Sequence, residues 1–111
     1  MGDGIIREST KTDVRALGEI AEAAGLFPAG LLPEMIQPFL ADRRHRWLTL
    51  HGSDGPVGFC YLEPERLTDG SWNMLALAIR PESHGQGLGR QLVTAAETAL
   101  RREGARVLIV E

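Results

Sequence analysis

The chain has one cysteine (Cys60) and one tyrosine (Tyr61), and aromatic residues make up only 5% of its 111 residues. A lone cysteine excludes an intramolecular disulfide and suits a reducing compartment, so a cytoplasmic location is expected. Cys60 lies in the apolar run 57–62, where a buried structural thiol is expected rather than a nucleophile. No apolar run reaches the roughly 18 residues that span a bilayer, and the N-terminus lacks the basic-then-apolar layout of a signal peptide. Positive charge is also short: the formal net charge is −3. That removes the electrostatic footprint of a nucleic-acid or anionic-membrane binder. The basic cluster Arg43-Arg44-His45-Arg46 is broken by histidine and reads as a solvated connection. His45, His51 and His84 have no ligand spacing, so no metal is expected.

What is present fits one small α/β domain over residues 1–111, with a single modest core. Residues 4–8 read as a first strand. Thr10, with Asp13 three positions on, has the pattern of a helix N-cap and weak capping box. Val14, Leu17, Ile20, Ala21 and Ala24 follow at helical spacing until Gly25. Residues 31–40 predict a second helix opened by Pro33, with Pro38 expected to kink or end it. Residues 47–51 and 56–63 predict an antiparallel hairpin about the turn 52–55, with His51 exposed at its end. Residues 64–70 form a polar loop. The nearly continuous apolar run 72–79 predicts a central strand covered on both faces.

Leu88, Leu92, Ala96, Ala99 and Leu100 share one face of a helix from 88 to 103, with Gly104 as its C-terminal stop. Residues 107–110 predict a last buried strand, parallel to the strand at 72–79 because a helix joins them. The order is therefore β-α-α-β-β-β-α-β in a mixed sheet.

Between strand and helix runs Ile79-Arg80-Pro81-Glu82-Ser83-His84-Gly85-Gln86-Gly87-Leu88-Gly89-Arg90. Glycines at every second position allow close approach of a ligand and positive φ where a turn needs it. The helix that follows brings unpaired N–H groups and the positive end of its dipole, a setting for phosphate. The spacing is not G-x-G-x-x-G, since the sixth position is Arg90. It is not a P-loop either, because no Lys-Ser or Lys-Thr follows.

The run resembles the acetyl-CoA signature of the GCN5-related N-acetyltransferase (GNAT) superfamily, Arg/Gln-x-x-Gly-x-Gly/Ala. Gly87 and Gly89 fill its glycine positions and Leu88 its aliphatic one. Gly85 and Gln86 follow the first position as in many members, while His84 departs from the usual arginine or glutamine. The element order matches the first two-thirds of that fold. The resemblance implies that the main chain of Leu77, Ala78 and Ile79 pairs with the pantetheine arm. A backbone N–H there would polarise the thioester carbonyl. It implies further that His84, Gly85, Gln86, Gly87, Leu88, Gly89 and Arg90 cradle the pyrophosphate, with histidine a weaker and pH-dependent donor.

Acetyl transfer needs a neutral amine, hence a base near the thioester. Glu63, at the end of one strand, and Asn73, at the start of the next, are the catalytic candidates. Their bland alternatives are a solvated strand end and a backbone pin. The family's later elements, which often supply a tyrosine general acid, have no counterpart in the sequence. Tyr61 falls in a different element. The expected function is acetyl-CoA-dependent N-acetyl transfer to a small-molecule or peptide primary amine. The alternative is a catalytically incomplete CoA-binding or partner-binding fragment. The apolar edge at 107–110 is expected to attract a second copy or a completing chain.

Overall fold

The computed structural model of the chain describes residues 5–41, 46–53, 55–64, 70–102, 104 and 107–110, the last four by their backbone. Residue 4, most of the basic cluster (43–45), Asp54, the polar loop at 65–69 and Glu103 lie outside the described residues.

The elements are β1 (Ile5–Glu8), α1 (Val14–Ala23), α2 (Leu32–Ala41), β2 (Arg46–Gly52), β3 (Gly55–Pro64), β4 (Ser71–Ile79), α3 (Leu88–Arg102) and β5 (Val107–Val110). This is the order read from the sequence. The strands form one sheet in the order β1-β2-β3-β4-β5. Neighbours from β1 to β4 are antiparallel, and β5 runs parallel to β4 after the α3 crossover.

Each face of the sheet is covered by helices whose apolar residues recur at helical spacing. Leu17, Ile20 and Ala21 of α1 and Leu32, Ile36 and Phe39 of α2 pack on Trp47, Phe59, Ala76 and Ala78. On the other face Leu88, Leu92, Ala96 and Leu100 of α3 cover Leu48, Leu50, Cys60, Leu62 and Met74. Each fully buried leucine or phenylalanine contributes about 2 kcal/mol. Pro38 sits inside α2 without ending it, and the helix runs on to Ala41. The apolar side of α2 is anchored before and after Pro38, by Ile36 and Phe39, and this offsets the missing hydrogen bond.

The run at 72–79 is not the middle of the sheet. β3 is, and β4 lies one place from the edge. Nor is β4 covered on both faces throughout, since Leu75 is 50% exposed. The cause is a bulge. Tyr61 pairs with Ala76 but Leu62 pairs with Met74, so Leu75 is an extra residue. Consequently Met74 belongs to the α3 face, as do Leu77 and Ile79, while Ala76 and Ala78 face α1 and α2.

The start of α1 is tied to the sheet by a buried carboxylate. Arg7 donates to both oxygens of Asp13 at 2.7 and 2.8 Å, and the Thr10 N–H donates to the same carboxylate at 2.7 Å. Ser9 and Thr49, both buried, share a hydroxyl hydrogen bond of 2.7 Å. The Arg7 hydrogen bonds, against the cost of burial, hold the Asp13 carboxyl below its usual range. His51 is half-buried rather than exposed, because Arg7 reaches it as well and donates to its Nε2. No described helix is long and apolar enough to cross a membrane.

Candidate functional site

The parallel pairing of β5 with β4 covers Ser71 to Met74 only. Beyond the bulge, the β4 edge from Leu75 to Ile79 has no strand beside it among the described residues. Strand alternation fixes which main-chain groups face this opening. Arg80 N–H donates to Val57 O on β3, so Ala78, two residues back, also faces β3. The carbonyl of Ala78 accordingly lies against Gly58. Leu77 and Ile79 therefore direct their N–H and C=O groups outward, to the open edge. Of the three residues expected to pair with a pantetheine arm, two present their main chain to the opening and Ala78 turns its own inward.

A cleft of about 380 Å³ lies at this edge, lined by Leu77, Ala78, Ile79, His84, Gly85, Gly87, Leu88 and Gly89 together with Ala24 and Ser83. Gln86 and Arg90 are exposed beside it. Gly85 and Gly87 have φ of +83° and +74°, a region where L side chains are strained. Gly89 has no such φ, yet a methyl group built on any of the three would meet no protein atom within 4 Å. The space the glycines leave belongs to the cleft and not to packing.

Hydrogen bonding divides the loop in two. After Pro81, Ser83 N–H donates to Arg80 O and His84 N–H to Pro81 O, closing a 3₁₀ turn. Helical bonding starts at Gln91 N–H, which donates to Gly87 O. Among the described residues no backbone bond is donated by Gly85 through Arg90. The N-terminus of α3, with its uncommitted N–H groups, lies at the cleft, which Gly85, Gly87, Leu88 and Gly89 line.

The side chains at its ends are engaged. His84 Nε2 donates to Ile79 O at 2.9 Å. Arg80 donates to Pro56 O at 3.0 Å and approaches Glu19 at 3.9 Å. Beneath the floor, Cys60 pairs with Leu77 and is fully buried. Burial pushes its thiol up to about 12, so it is no nucleophile.

Glu63 and Asn73 do not line this cleft. They are direct partners across β3 and β4, on the far side of the bulge. Glu63 is half-buried and accepts a hydrogen bond from Tyr61 at 2.7 Å. Burial first, then the Glu63 carboxylate, raises the Tyr61 phenol above its ordinary range. Tyr61 also stacks on Trp47 with ring centres 4.6 Å apart. Ser83 and Ala24 are additions to the site residues singled out from the sequence, and Tyr61, set aside there as lying in a different element, is bonded to Glu63. An alternation reading of β3 places Tyr61 and Glu63 on one face, but no local signal brings the end of α1 to the loop. Among the described residues no group of three or more His, Cys, Asp or Glu side chains is placed to hold a metal.

Comparison with known proteins agrees with this geometry. The family model described as Acetyltransferase (GNAT) family matches residues 14–111. No curated protein matches the sequence. A GNAT-family protein from Desulfovibrio desulfuricans superposes with a TM-score of 0.86 at 21% identity, over 97% of this chain and 72% of its own. A Brucella melitensis GNAT acetyltransferase solved with acetyl-CoA gives 0.79 at 19% identity, over 99% and 76%. The Escherichia coli ribosomal-protein-S18-alanine N-acetyltransferase gives 0.79 at 21% identity, over 97% of this chain and 66% of its own. With the family model covering most of its length and these folds superposing on it, the chain belongs to the GNAT acetyltransferase family.

Proposed function

We propose that the protein is an acetyl-CoA-dependent N-acetyltransferase that acetylates a primary amine by direct attack on the thioester. The observation that carries this reading is the cleft itself. Three glycines whose Cβ directions are empty, and a run of N–H groups with no backbone acceptor among the described residues, stand at the end of a strand edge that no described strand pairs. An anion fits the first feature and an extended amide-bearing chain the second. When bound, acetyl-CoA would supply the activated acyl group.

The chain's own residues then divide the work. The N–H groups of Gly85, Gln86, Gly87, Leu88, Gly89 and Arg90 hold the diphosphate. The outward main chain of Leu77 and Ile79 orders the pantetheine arm and donates toward the thioester oxygen. From Ile79 back to Leu75 the edge runs roughly 13 Å at strand rise, which leads the arm to the bulge. Glu63 would take a proton from the acceptor ammonium so that the neutral amine attacks the thioester carbon, the C–S bond breaks and CoA leaves as its thiolate, while Asn73 opposite Glu63 orients the acceptor. The acceptor class, a small amine or a peptide amine, follows from this chemistry and from the activity named for the Escherichia coli relative. The buried, unpaired Cys60 suits a cytoplasmic setting. The outer edge of β5 would serve a second copy or a completing chain.

Calorimetry with acetyl-CoA tests the site, and thiol release with a panel of amines tests the reaction. Binding with thiol release supports the enzyme. Binding without it for any amine leaves the CoA-binding fragment, and no binding overturns both readings. Gly87→Trp, which fills the turn, is expected to abolish binding.

A further inference from the structure

At the first position of the glycine signature this chain carries His84, and its side chain is turned back onto the main chain. Its ring Nε2 lies 2.9 Å from the carbonyl oxygen of Ile79, the last residue of β4. A carbonyl only accepts, so Nε2 carries the proton. The His84 backbone N–H is also committed, to Pro81 O. Both groups that would have contacted a diphosphate are thus used within the protein.

The bond spans the 3₁₀ turn Pro81–Ser83 and joins the two halves of the cleft. On one side is the strand edge that ends at Ile79. On the other is the glycine turn that begins at Gly85. Ile79 O is one of the outward-facing groups of that edge, so the clasp also withdraws an acceptor from it.

We propose that His84 is a positioning residue that sets the spacing between the strand edge and the anion-binding turn. It thereby favours ligands that occupy both at once. This rests on the reading of the cleft as a CoA site and extends it. A ligand that touches only the turn gains nothing from a fixed spacing, whereas one that bridges turn and strand gains the preorganisation.

The test compares CoA with adenosine 3′,5′-bisphosphate, which carries the anionic end without the pantetheine arm, by calorimetry on wild type, His84→Ala and His84→Gln. His84→Ala is expected to weaken CoA about tenfold, the scale of one lost ordering hydrogen bond. Bisphosphate affinity should change less than about twofold. His84→Gln, whose amide can donate to Ile79 O, should recover most of the CoA affinity. In turnover, His84→Ala should raise KM for acetyl-CoA and leave kcat unchanged. The side chain is exposed, so the melting temperature of the free protein should hold. Equal losses for both ligands would make His84 an anion contact and overturn the proposal, as would an unchanged CoA affinity in His84→Ala. A wild type that binds neither ligand would instead defeat the CoA reading beneath it.

Discussion

The Tyr61 hydroxyl donates to the Glu63 carboxylate at 2.7 Å, two positions along the same strand, and Glu63 faces Asn73 on the next. Both candidate catalytic residues therefore share one rung of the sheet past the bulge, and the hydroxyl of the chain's one tyrosine reaches Glu63 from the Ala76 rung on its other side. The single tyrosine makes this pair directly measurable.

Alkaline titration of tyrosinate absorbance reads Tyr61 alone. Burial and the adjacent carboxylate both disfavour the phenolate. In the wild type the phenol should stay protonated well above the ordinary tyrosine range. In Glu63→Gln the carboxylate's share disappears while burial remains, so the midpoint should drop yet stay elevated. An identical midpoint in the two proteins would mean that the pair does not form in solution.

Two glycines of the loop should respond oppositely in stability and alike in binding. Gly87→Ala forces a methyl onto a φ of +74° and should cost about 1–2 kcal/mol. Gly89→Ala places an alanine in the first turn of α3 with open space around it. It should be neutral or stabilise by about 0.5 kcal/mol. Both should weaken acetyl-CoA, because each methyl enters the cleft. Thermal melts and calorimetry on the same samples decide this, and a Gly89→Ala protein of full affinity would speak against close ligand approach.

Asp13 should govern the acid limb of stability. Its folded carboxyl is held below the usual range by Arg7, so the stabilisation is complete above the unfolded carboxylate range near pH 4. It is lost as pH falls through the lower folded value. Asp13→Asn should destabilise by roughly 3 kcal/mol at neutral pH and flatten that limb. Denaturant melts at several pH values measure both effects.

Gly58→Ala should reach the cleft from beneath. The added methyl would sit 2.5 Å from Ile79 Cδ1 and 2.9 Å from Ala78 O. Some displacement of the end of β4 is therefore unavoidable. A loss of about 1–3 kcal/mol is expected, together with weaker CoA binding. Amide exchange should show faster opening at Ile79 and Arg80.

Most of the fold was legible because each segment carried its own period: the repeats in α1 and α3, the glycine turn in the hairpin, the unbroken run in β4. The glycine loop was legible for the same reason, as a local backbone requirement at contiguous residues. The bulge at Leu75 was not, since an inserted residue inside an all-apolar run breaks no alternation that could be seen. Pro38 does not end α2, because packing by Ile36 and Phe39 on either side of it holds the helix. His51 looked like an exposed strand end until β1 brought Arg7 across to it. Which of Leu77, Ala78 and Ile79 offers its main chain depends on pairing with Val57, and His84 meets Ile79 only once the turn between them closes. Those facts belong to the third dimension.

The residue at Leu75 also acts as a change of phase. Upstream of it, even-numbered β4 residues belong to α3, and downstream the odd-numbered ones do. A three-base deletion that removes Leu75 would take out the extra residue and leave Met74 and Ala76 on successive rungs, opposite Leu62 and Tyr61. Ala76 and Ala78 would still face α1, and Leu77 and Ile79 would still face α3. The open edge would present the same backbone groups to the cleft. A single-codon deletion at Leu75 is thus a milder insult to this protein than one at Ala78, which would carry Ile79 across to the α1 side.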